Sequence, residues 1–481
     1  MRGISQPLVA AVAMAAILAT GRTTRGENLA DAWSIALRVN AGLQSQQDLT
    51  LAQGFNLRAA KSSRWPTVRT FTFNSFLTAT PGFSSRSFFG SSSTGTGAGG
   101  TGTGAAAGSL GAASGIPSTL PILGPGQLDL PVSLTFASIP LYTGGRLLRN
   151  IDAADAQIGA QKSEEVRTAM DLRLTVAEAY VGVLRAQKNL EVARSSVEQL
   201  TAFARDVGNR REQGLAIRSE DLAAQVSLAN ARLAEIQTRT ALEAAWATYN
   251  RYVCRPLTAR VDLEELTALP IKADWARMAE EAMREIPIAS TENEQEVDEL
   301  TMKAISSRPE LIGLAQQARA YANQAEATRG GVRPQVGFSM AFIWLGNNNM
   351  IPQGIGAATF YADWTITDSG ATRRRANAIQ QQERATLRRR ADTAADIALQ
   401  VRTRWLDLVQ ARKRVPVAKL AIIQAEENIN VITDRYRQQL STYTEVLDAE
   451  TRRVQSLNNF YNAVYDESLA NFRLHRAVGD L

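Results

Sequence analysis

Two long stretches of the chain share one pattern of apolar and polar positions. Shifted by 225 residues, the stretch from Gly145 to about Arg232 aligns without a gap with Gly370 to Leu457. Apolar residues recur at spacings of three and four residues along both copies. No proline lies between Gly145 and Gly214, which predicts a helix of up to about 100 Å. A repeat of this length indicates one structural unit built twice.

Each copy is predicted to end in a long helical hairpin, at 146–255 and 371–478, with apolar seams of the 3.5-residue period typical of coiled coils. The seams of the outgoing helices contain Leu190, Ala193, Val197, Leu200, Ala204 and Val207, and Val415, Ala418, Ile422, Ala425, Ile429, Ile432 and Tyr436. The returning helices carry Leu222, Val226, Ala229, Leu233 and Ile236, and Leu447, Val454, Tyr461 and Val464. We interpret all of these stripes as core packing and not as sites of chemistry.

Ahead of each hairpin, alternation of apolar and polar residues predicts a pair of strands. The first pair covers 67–77 and 131–142, with a Gly/Ser/Thr-rich loop at 90–115 between them, and the second covers 335–345 and 357–367. A period of two places the apolar residues of the second pair on one face. These residues are Val336, Phe338, Met340, Phe342, Trp344, Ala358, Phe360, Ala362, Trp364 and Ile366.

The strands have features of a membrane barrel. Each is about ten residues long, the length that crosses a bilayer when tilted. Trp65, Tyr142, Trp344 and Trp364 stand near strand ends, where interfacial aromatic residues lie. A half-buried strand of a soluble protein would alternate in the same way. Four strands cannot close a membrane barrel, so spanning strands would require oligomerisation, with eight strands from two chains or twelve from three.

The predicted order along the chain is a signal peptide (1–25), a first repeat (26–255), a connector (256–306) and a second repeat (307–481). The signal peptide is indicated by Arg2 ahead of the apolar run at 7–19, which is too short to span a bilayer as a helix. The first repeat is predicted to begin with a helix at 28–64, and the second with a helix that restarts at Arg308.

Composition excludes most kinds of catalytic and nucleic-acid-binding site. One histidine, His475, and one cysteine, Cys254, leave no His/Cys metal cluster and no disulfide within the chain. The net charge of +6, from 53 basic and 47 acidic residues, is nearly balanced for 481 residues. No phosphate-binding loop, dinucleotide fingerprint or nucleophile elbow is present. We therefore expect no enzyme activity, no cofactor or metal, and no nucleic-acid partner.

This order of parts resembles the TolC-like outer-membrane efflux protein family over nearly the whole chain after the signal segment. The resemblance is carried by the strand-to-helix junctions with Gly145 and Gly370, by the helix restart SSRPEL (306–311), and by the hairpin tips at 210–225 and 435–455. It implies a membrane α+β fold: a homotrimer whose chains each give four strands to a twelve-stranded outer-membrane barrel. That barrel would be continued by a coiled-coil tunnel in the periplasm.

The resemblance also assigns residues to a periplasmic gate. Tyr436 matches the gate tyrosine of the family, Glu445 and Asp448 match its paired acidic positions at the narrow entrance, and Glu220 matches the acidic position of the first hairpin. Carboxylates repeated around a constriction concentrate cations. An exposed acid on a helix face is the simpler explanation of each. The family's locking arginine falls on Ser441, so that particular lock is missing.

The hairpin tips are the family's contact with its periplasmic adaptor. Gly214 and Leu215 keep the family's glycine and hydrophobic neighbour, whereas Gln439 and Leu440 stand at the second tip. The resemblance implies a passive conduit for small molecules or proteins, with the adaptor and an inner-membrane pump of RND or ABC type as partners and lipid around the barrel. The alternative, an exported coiled-coil scaffold or adaptor-like protein, explains the helices and leaves the alternating strands unexplained.

Overall fold

The computed structural model of the protein describes residues 26–77, 128–266, 294–346 and 353–481. The expected signal peptide (1–25), the Gly-rich loop (90–115) and the middle of the connector lie outside the described residues.

The helices and strands follow one another in the order expected from the pattern of apolar and polar residues. They are α1 (Leu29–Val39), α2 (Ala41–Ser62), β1 (Thr67–Leu77), β2 (Leu128–Tyr142), α3 (Arg146–Glu212), α4 (Arg218–Tyr252), α5 (Glu294–Ser307), α6 (Pro309–Gly330), β3 (Gln335–Leu345), β4 (Gly354–Asp363), α7 (Ala371–Arg437) and α8 (Tyr443–Val478). No helix of the described ranges combines the length and the apolar character needed to cross a bilayer.

The element lengths show the duplication directly. Helices α3 and α7 have 67 residues each, and their first residues are 225 positions apart. Helices α2 and α6 have 22 residues each, and β1 and β3 have 11 each. These last two pairs begin 268 positions apart, at 41 and 309 and at 67 and 335. The repeat therefore also includes the helix and strand that precede each long helix, and the first copy is 43 residues longer between its first strand and its long helix.

The helix predicted at 28–64 is two helices, because Asn40 interrupts it. Asn40 has extended backbone angles, with φ −66° and ψ 118°. Its side-chain oxygen accepts hydrogen bonds from the N–H groups of Gly42 at 2.9 Å and Leu43 at 3.2 Å. Asparagine favours this capping position because it satisfies the free N–H groups of the first helical turn.

The fourth strand lies closer to the N-terminus than predicted. It was expected at 357–367, and it runs from Gly354 to Asp363. Asp363 pairs with Gln335, the first residue of β3, so no strand remains for Trp364 and Ile366 to pair with. Both side chains lie beyond the strand and are exposed.

The described chain divides into two compact units. Unit 2 comprises Thr50–Gln161 and Gly313–Arg389 and contains the sheet. The sheet is antiparallel with the order β1-β2-β3-β4. Its register pairs Val336 with Ala362, Phe338 with Phe360 and Met340 with Ala358, so the predicted apolar residues that lie within β3 and β4 share one face.

The strand-to-helix junctions in unit 2 repeat each other in detail. Gly145 and Gly370 have φ angles of +85° and +78°, which glycine adopts at little cost. Two residues earlier, Thr143 accepts the N–H of Leu147 at 3.4 Å, and Asp368 accepts the N–H of Thr372 at 2.7 Å. Each junction therefore turns the chain at a glycine and caps the long helix that follows.

The described residues within Met1–Leu49, Lys162–Ile312 and Arg390–Leu481 form unit 1, which is mainly helical. Its largest hydrophobic cluster combines residues of α1, α3, α4 and α8. Tyr180 is fully buried there, and its hydroxyl lies 2.9 Å from the carbonyl oxygen of Glu27 and 2.5 Å from that of Glu264. Burial, followed by the nearby carboxylates of Glu264 and Glu27, raises the pKa of Tyr180.

A buried charge network fixes the start of α6 in unit 1. The side chain of Glu310 accepts a hydrogen bond from Arg476 at 2.9 Å and lies 3.4 Å from Arg308. Arg476 also donates to Asp171 at 2.7 Å, and Arg308 donates to Gln400 at 2.6 Å. Both arginines are buried, and Glu310 is the carboxylate that they share.

Replacing Glu310 with glutamine is expected to destabilise the protein by roughly 3–5 kcal/mol, because two buried guanidinium groups lose their common counter-charge. The free energy of unfolding, measured by urea denaturation of the purified protein, tests this. Glu299→Gln on α5, an exposed position, is the control and is expected to change stability by less than about 0.5 kcal/mol. Equal effects of the two substitutions would contradict the role of the network.

Candidate functional site at the hairpin tips

The first hairpin turns at a glycine between α3 and α4. Gly214 has a φ of +75°. The N–H of Leu215 donates to the carbonyl of Arg210 at 2.8 Å, and that of Gly214 to Arg211 at 3.0 Å. This pair of bonds is the Schellman motif, which ends helices at a residue in the left-handed conformation. Leu215 is exposed at the tip.

The second hairpin makes the same turn without a glycine. The N–H of Leu440 donates to the carbonyl of Arg435 at 2.9 Å, and that of Gln439 to Tyr436 at 3.0 Å. Gln439 therefore adopts the left-handed conformation, with a φ of +59°, which costs a residue with a side chain roughly 1–2 kcal/mol. Leu440 is exposed, as Leu215 is.

An apolar cluster joins the two hairpins just behind their tips. Its buried members are Val207, Ala224, Tyr436, Tyr443 and Val446. The ring of Phe203 stacks on Tyr443 at 5.3 Å and lies 5.4 Å from Tyr436. The guanidinium of Arg210 lies 5.1 Å from the centre of the Tyr436 ring.

Tyr436, the residue that matches the gate tyrosine, thus lies buried between helices of one chain. Burial is the first cause of its raised pKa, and the carboxylate of Glu220 is the second. The ring holds the second hairpin against the first. Its part in a gate stays a prediction.

The charge pair that closes the first tip was not found from the sequence. Arg211 donates to the buried carboxylate of Asp221 at 2.8 Å, and Gln225 donates to the same carboxylate at 3.1 Å. The positions aligned with Arg211 and Asp221 by the 225-residue shift are Tyr436 and Val446. An ion pair in one copy and an apolar pair in the other occupy the same place, and the aligned repeat contains this signal.

Glu445 is exposed and held by two hydroxyl groups. Ser441 Oγ donates to one carboxylate oxygen, and Thr442 Oγ1 donates to the other at 3.2 Å. These hydrogen bonds, with that from Ser441 first, lower the pKa of Glu445. Ser441, which stands where the family has its locking arginine, is therefore a partner of the acidic residue.

The other acidic residues have different surroundings. Asp448 is exposed and lies 2.8 Å from Arg452 on the next turn of α8. Glu220 is half-buried in the first turn of α4, at the position aligned with Glu445. The described residues contain no group of histidine, cysteine and acidic side chains that could hold a metal ion.

Comparison with known proteins agrees with the resemblance drawn from the sequence. Residues 127–252, which include β2, α3 and α4, match the family model described as Outer membrane efflux protein. None of the curated protein sequences matches the chain.

The fold is similar to solved outer-membrane channels. VceC of Vibrio cholerae has a TM-score of 0.71 at 14% identity, over 94% of this chain and 96% of that one. CmeC of Campylobacter jejuni has a TM-score of 0.72 at 12% identity, over 95% and 86%. The open state of MtrE of Neisseria gonorrhoeae has a TM-score of 0.68 at 14% identity, over 94% and 88%. The chain therefore has the fold of these solved outer-membrane proteins.

Glycine at position 439 is expected to stabilise the second tip by about 1 kcal/mol, because it removes the strain of a left-handed glutamine. Hydrogen–deuterium exchange of the amides from 435 to 445 is expected to slow in Gln439→Gly. The neighbouring substitution Gln438→Gly is the control and is expected to accelerate exchange, because residue 438 is not among those with positive φ. Faster exchange in both variants would contradict the turn geometry.

Proposed function

We propose that the protein is the outer-membrane channel of an efflux or export assembly, formed by three copies of this chain. The observation that carries the proposal is a four-stranded sheet with two open edges and one face that is uncharged in every row that includes β3. The family match over β2 and the first hairpin and the fold of solved channels support it. The channel is a passive conduit from the periplasm across the outer membrane.

The uncharged face is defined by register. In the rows that include β3 it contains Val68, Thr70, Thr72, Ser133, Thr135, Ala137, Ile139, Val336, Phe338, Met340, Phe342, Trp344, Gly354, Gly356, Ala358, Phe360 and Ala362. Beyond these rows β1 pairs with β2 alone, and the positions that follow by register are Asn74, Pro131, Phe76 and Asp129. Its hydroxyl groups bond in pairs across β1 and β2, Thr70 with Thr135 at 3.2 Å and Thr72 with Ser133 at 3.4 Å. A face without charge suits contact with lipid, because a charged side chain in hydrocarbon costs several kcal/mol.

The sheet edges support assembly into a ring. Among the described residues, β1 pairs only with β2, and β4 pairs only with β3. Unpaired backbone groups are not tolerated in hydrocarbon, so β1 of one copy would pair with β4 of the next. Three copies would give a closed barrel of twelve strands, an even number within the range of outer-membrane barrels.

The helices offer a second contact between copies. The stripe of α4 was predicted to pack in the core, and within one chain this prediction is wrong, since Leu222, Val226, Leu233 and Ile236 are exposed. In α8 the aligned positions Leu447, Val454 and Tyr461 pack in clusters that also contain Val192 and Val207 of α3.

The repeat indicates what covers the exposed stripe. Helix α3 packs with α8 inside the chain through Val192, and the residue aligned with Val192 is Val417 of α7. Val417 is 55% exposed, whereas Val192 is 4% exposed. In a ring of copies, α7 of one chain would cover α4 of the next and repeat the contact that α3 makes with α8.

The hairpin tips would form the periplasmic entrance of this ring. Glu445 and Asp448 are exposed and close in sequence, and three copies would place six such carboxylates around one opening. The adaptor of the assembly would dock on the exposed Leu215 and Leu440 at the tips, and an inner-membrane pump would supply the energy.

Charges in the α4 stripe are expected to prevent assembly. Leu233→Asp with Ile236→Asp would place two carboxylates in a contact between copies, where burying an unpaired charge is strongly unfavourable. Light scattering of the detergent-purified protein is expected to give a trimer for the wild type and a smaller species for the variant. The control is Leu257→Asp at a leucine that is equally exposed, 57%, outside the stripe. A trimer that persists in the variant would contradict the interface.

Removal of the two acids is expected to reduce cation preference without affecting assembly. Glu445→Ala with Asp448→Ala takes negative charge from the entrance, and reversal potentials in planar bilayers under a salt gradient measure the effect. Because the pKa of Glu445 is lowered, its carboxylate in the wild type is expected to stay charged down to the ordinary pKa of glutamate. Glu427→Ala, at an exposed acid of α7, is the control, and unchanged selectivity in the double variant would remove the gate assignment.

A further inference from the structure

The face of the sheet opposite the uncharged face would line the channel. Arg69 of β1 and Asp363 of β4 belong to this opposite face by register, and both are exposed. Charged side chains face the water-filled interior of a barrel rather than lipid. The assignment of this face to the lumen rests on the proposed function, because only a closed ring of sheets has a lumen.

The lumen face changes character along the strands. At the end where the four helices join, one complete row across the sheet consists of hydroxyl side chains, Thr67, Ser138, Ser339 and Thr359. Thr67 and Ser138 lie 3.1 Å apart, at hydrogen-bonding distance. This part of the face has the polar lining that a water-filled barrel requires.

Two rows nearer the loop end of the sheet are apolar instead. One row is Phe71, Leu134, Ile343 and Ile355, and the next is Phe73, Val132 and Leu345. Val132 and Leu345 are buried, and Leu134 and Ile343 pack against them. Phe71 and Phe73 are about half exposed, at 49% and 47%. These two rows are named the apolar collar.

Every position of the collar carries a large hydrophobic side chain. In a ring of three sheets, the complete row would place twelve such side chains around the lumen, with no hydroxyl or charge among them. An apolar lining opposes hydrated ions, because it offers no partner to their water shell. It stabilises molecules that present apolar surface, because their contact with it removes that surface from water.

We propose that the apolar collar selects the cargo of the channel. It favours apolar or amphiphilic organic molecules and resists the flow of hydrated inorganic ions. The acids at the hairpin tips and the collar would then act in series, the first on charge and the second on hydrophobicity.

The collar is tested with Leu134→Ser and Ile343→Ser combined, since these residues pair across the two central strands. The matched control is Ala137→Ser with Met340→Ser, a pair on the same two strands that belongs to the uncharged face. The full-length protein is reconstituted in planar bilayers. Single-channel conductance in potassium chloride and the permeability of tetraphenylphosphonium relative to potassium are measured.

The collar variant is expected to raise potassium conductance by about twofold or more and to lower the tetraphenylphosphonium-to-potassium ratio by a similar factor. The control is expected to leave both values unchanged. If the double variant does not insert, Ile343→Thr keeps the branched shape and is expected to give a smaller change in the same direction. Values equal to the wild type in inserted variants would overturn the collar. A wild-type protein that forms no channels would overturn the proposed function, and the collar with it.

Discussion

The proposed assembly depends on one constraint, which is that the backbone groups at the two free edges of the four-stranded sheet need hydrogen-bond partners. Among the described strands, β1 and β4 each have one partner, and in the proposed barrel their free edges would have to be paired within lipid. The edge strands belong to different repeats, so pairing between copies joins the first repeat of one chain to the second repeat of the next. The exposed stripe of α4 and the exposed Val417 of α7 also belong to different repeats. In the proposed ring, the sheet and the helices would therefore use the same head-to-tail contact between copies, which closes by rotation.

The duplication provides the matching surfaces for contact between copies. The two repeats differ from each other at the hairpin tips. Both tips turn through the same two backbone hydrogen bonds, although one has Gly214 and the other Gln439. The first tip is closed by the ion pair between Arg211 and Asp221. At the aligned positions, the second tip has Tyr436 and Val446 in an apolar cluster. A partly buried ion pair depends on solvent and ionic strength more than apolar contacts do, so the two tips have different sensitivities to their surroundings.

The fold was predictable where local signals decide it. The limits of β1 and β3, the two long helices and the hairpin turns agree with the sequence pattern, because proline, glycine and period set them. The end of β4 was not predictable, because it depends on where β3 begins opposite it. The exposure of the α4 stripe was not predictable either. A coiled-coil seam indicates an apolar contact, but it does not indicate which chain provides the other side of that contact. The pair of Arg211 and Asp221 was visible only in comparison with the other copy.

The fold explains the acidic residues Glu220 and Glu445 of the hairpin tips, but not Asp448. Glu220 and Glu445 are aligned, and both lie in the first turn of a helix, where the helix dipole favours a negative charge. Their presence in both copies has a structural cause in the helix start. Asp448 is different: the aligned residue in the first copy is Ala223, and its ion pair with Arg452 is exposed, with 60% of the Asp448 side chain accessible. Exposed pairs of this kind contribute little to stability. Of the three acids, Asp448 is therefore the one that neither packing nor helix capping explains, which supports its proposed place at the entrance.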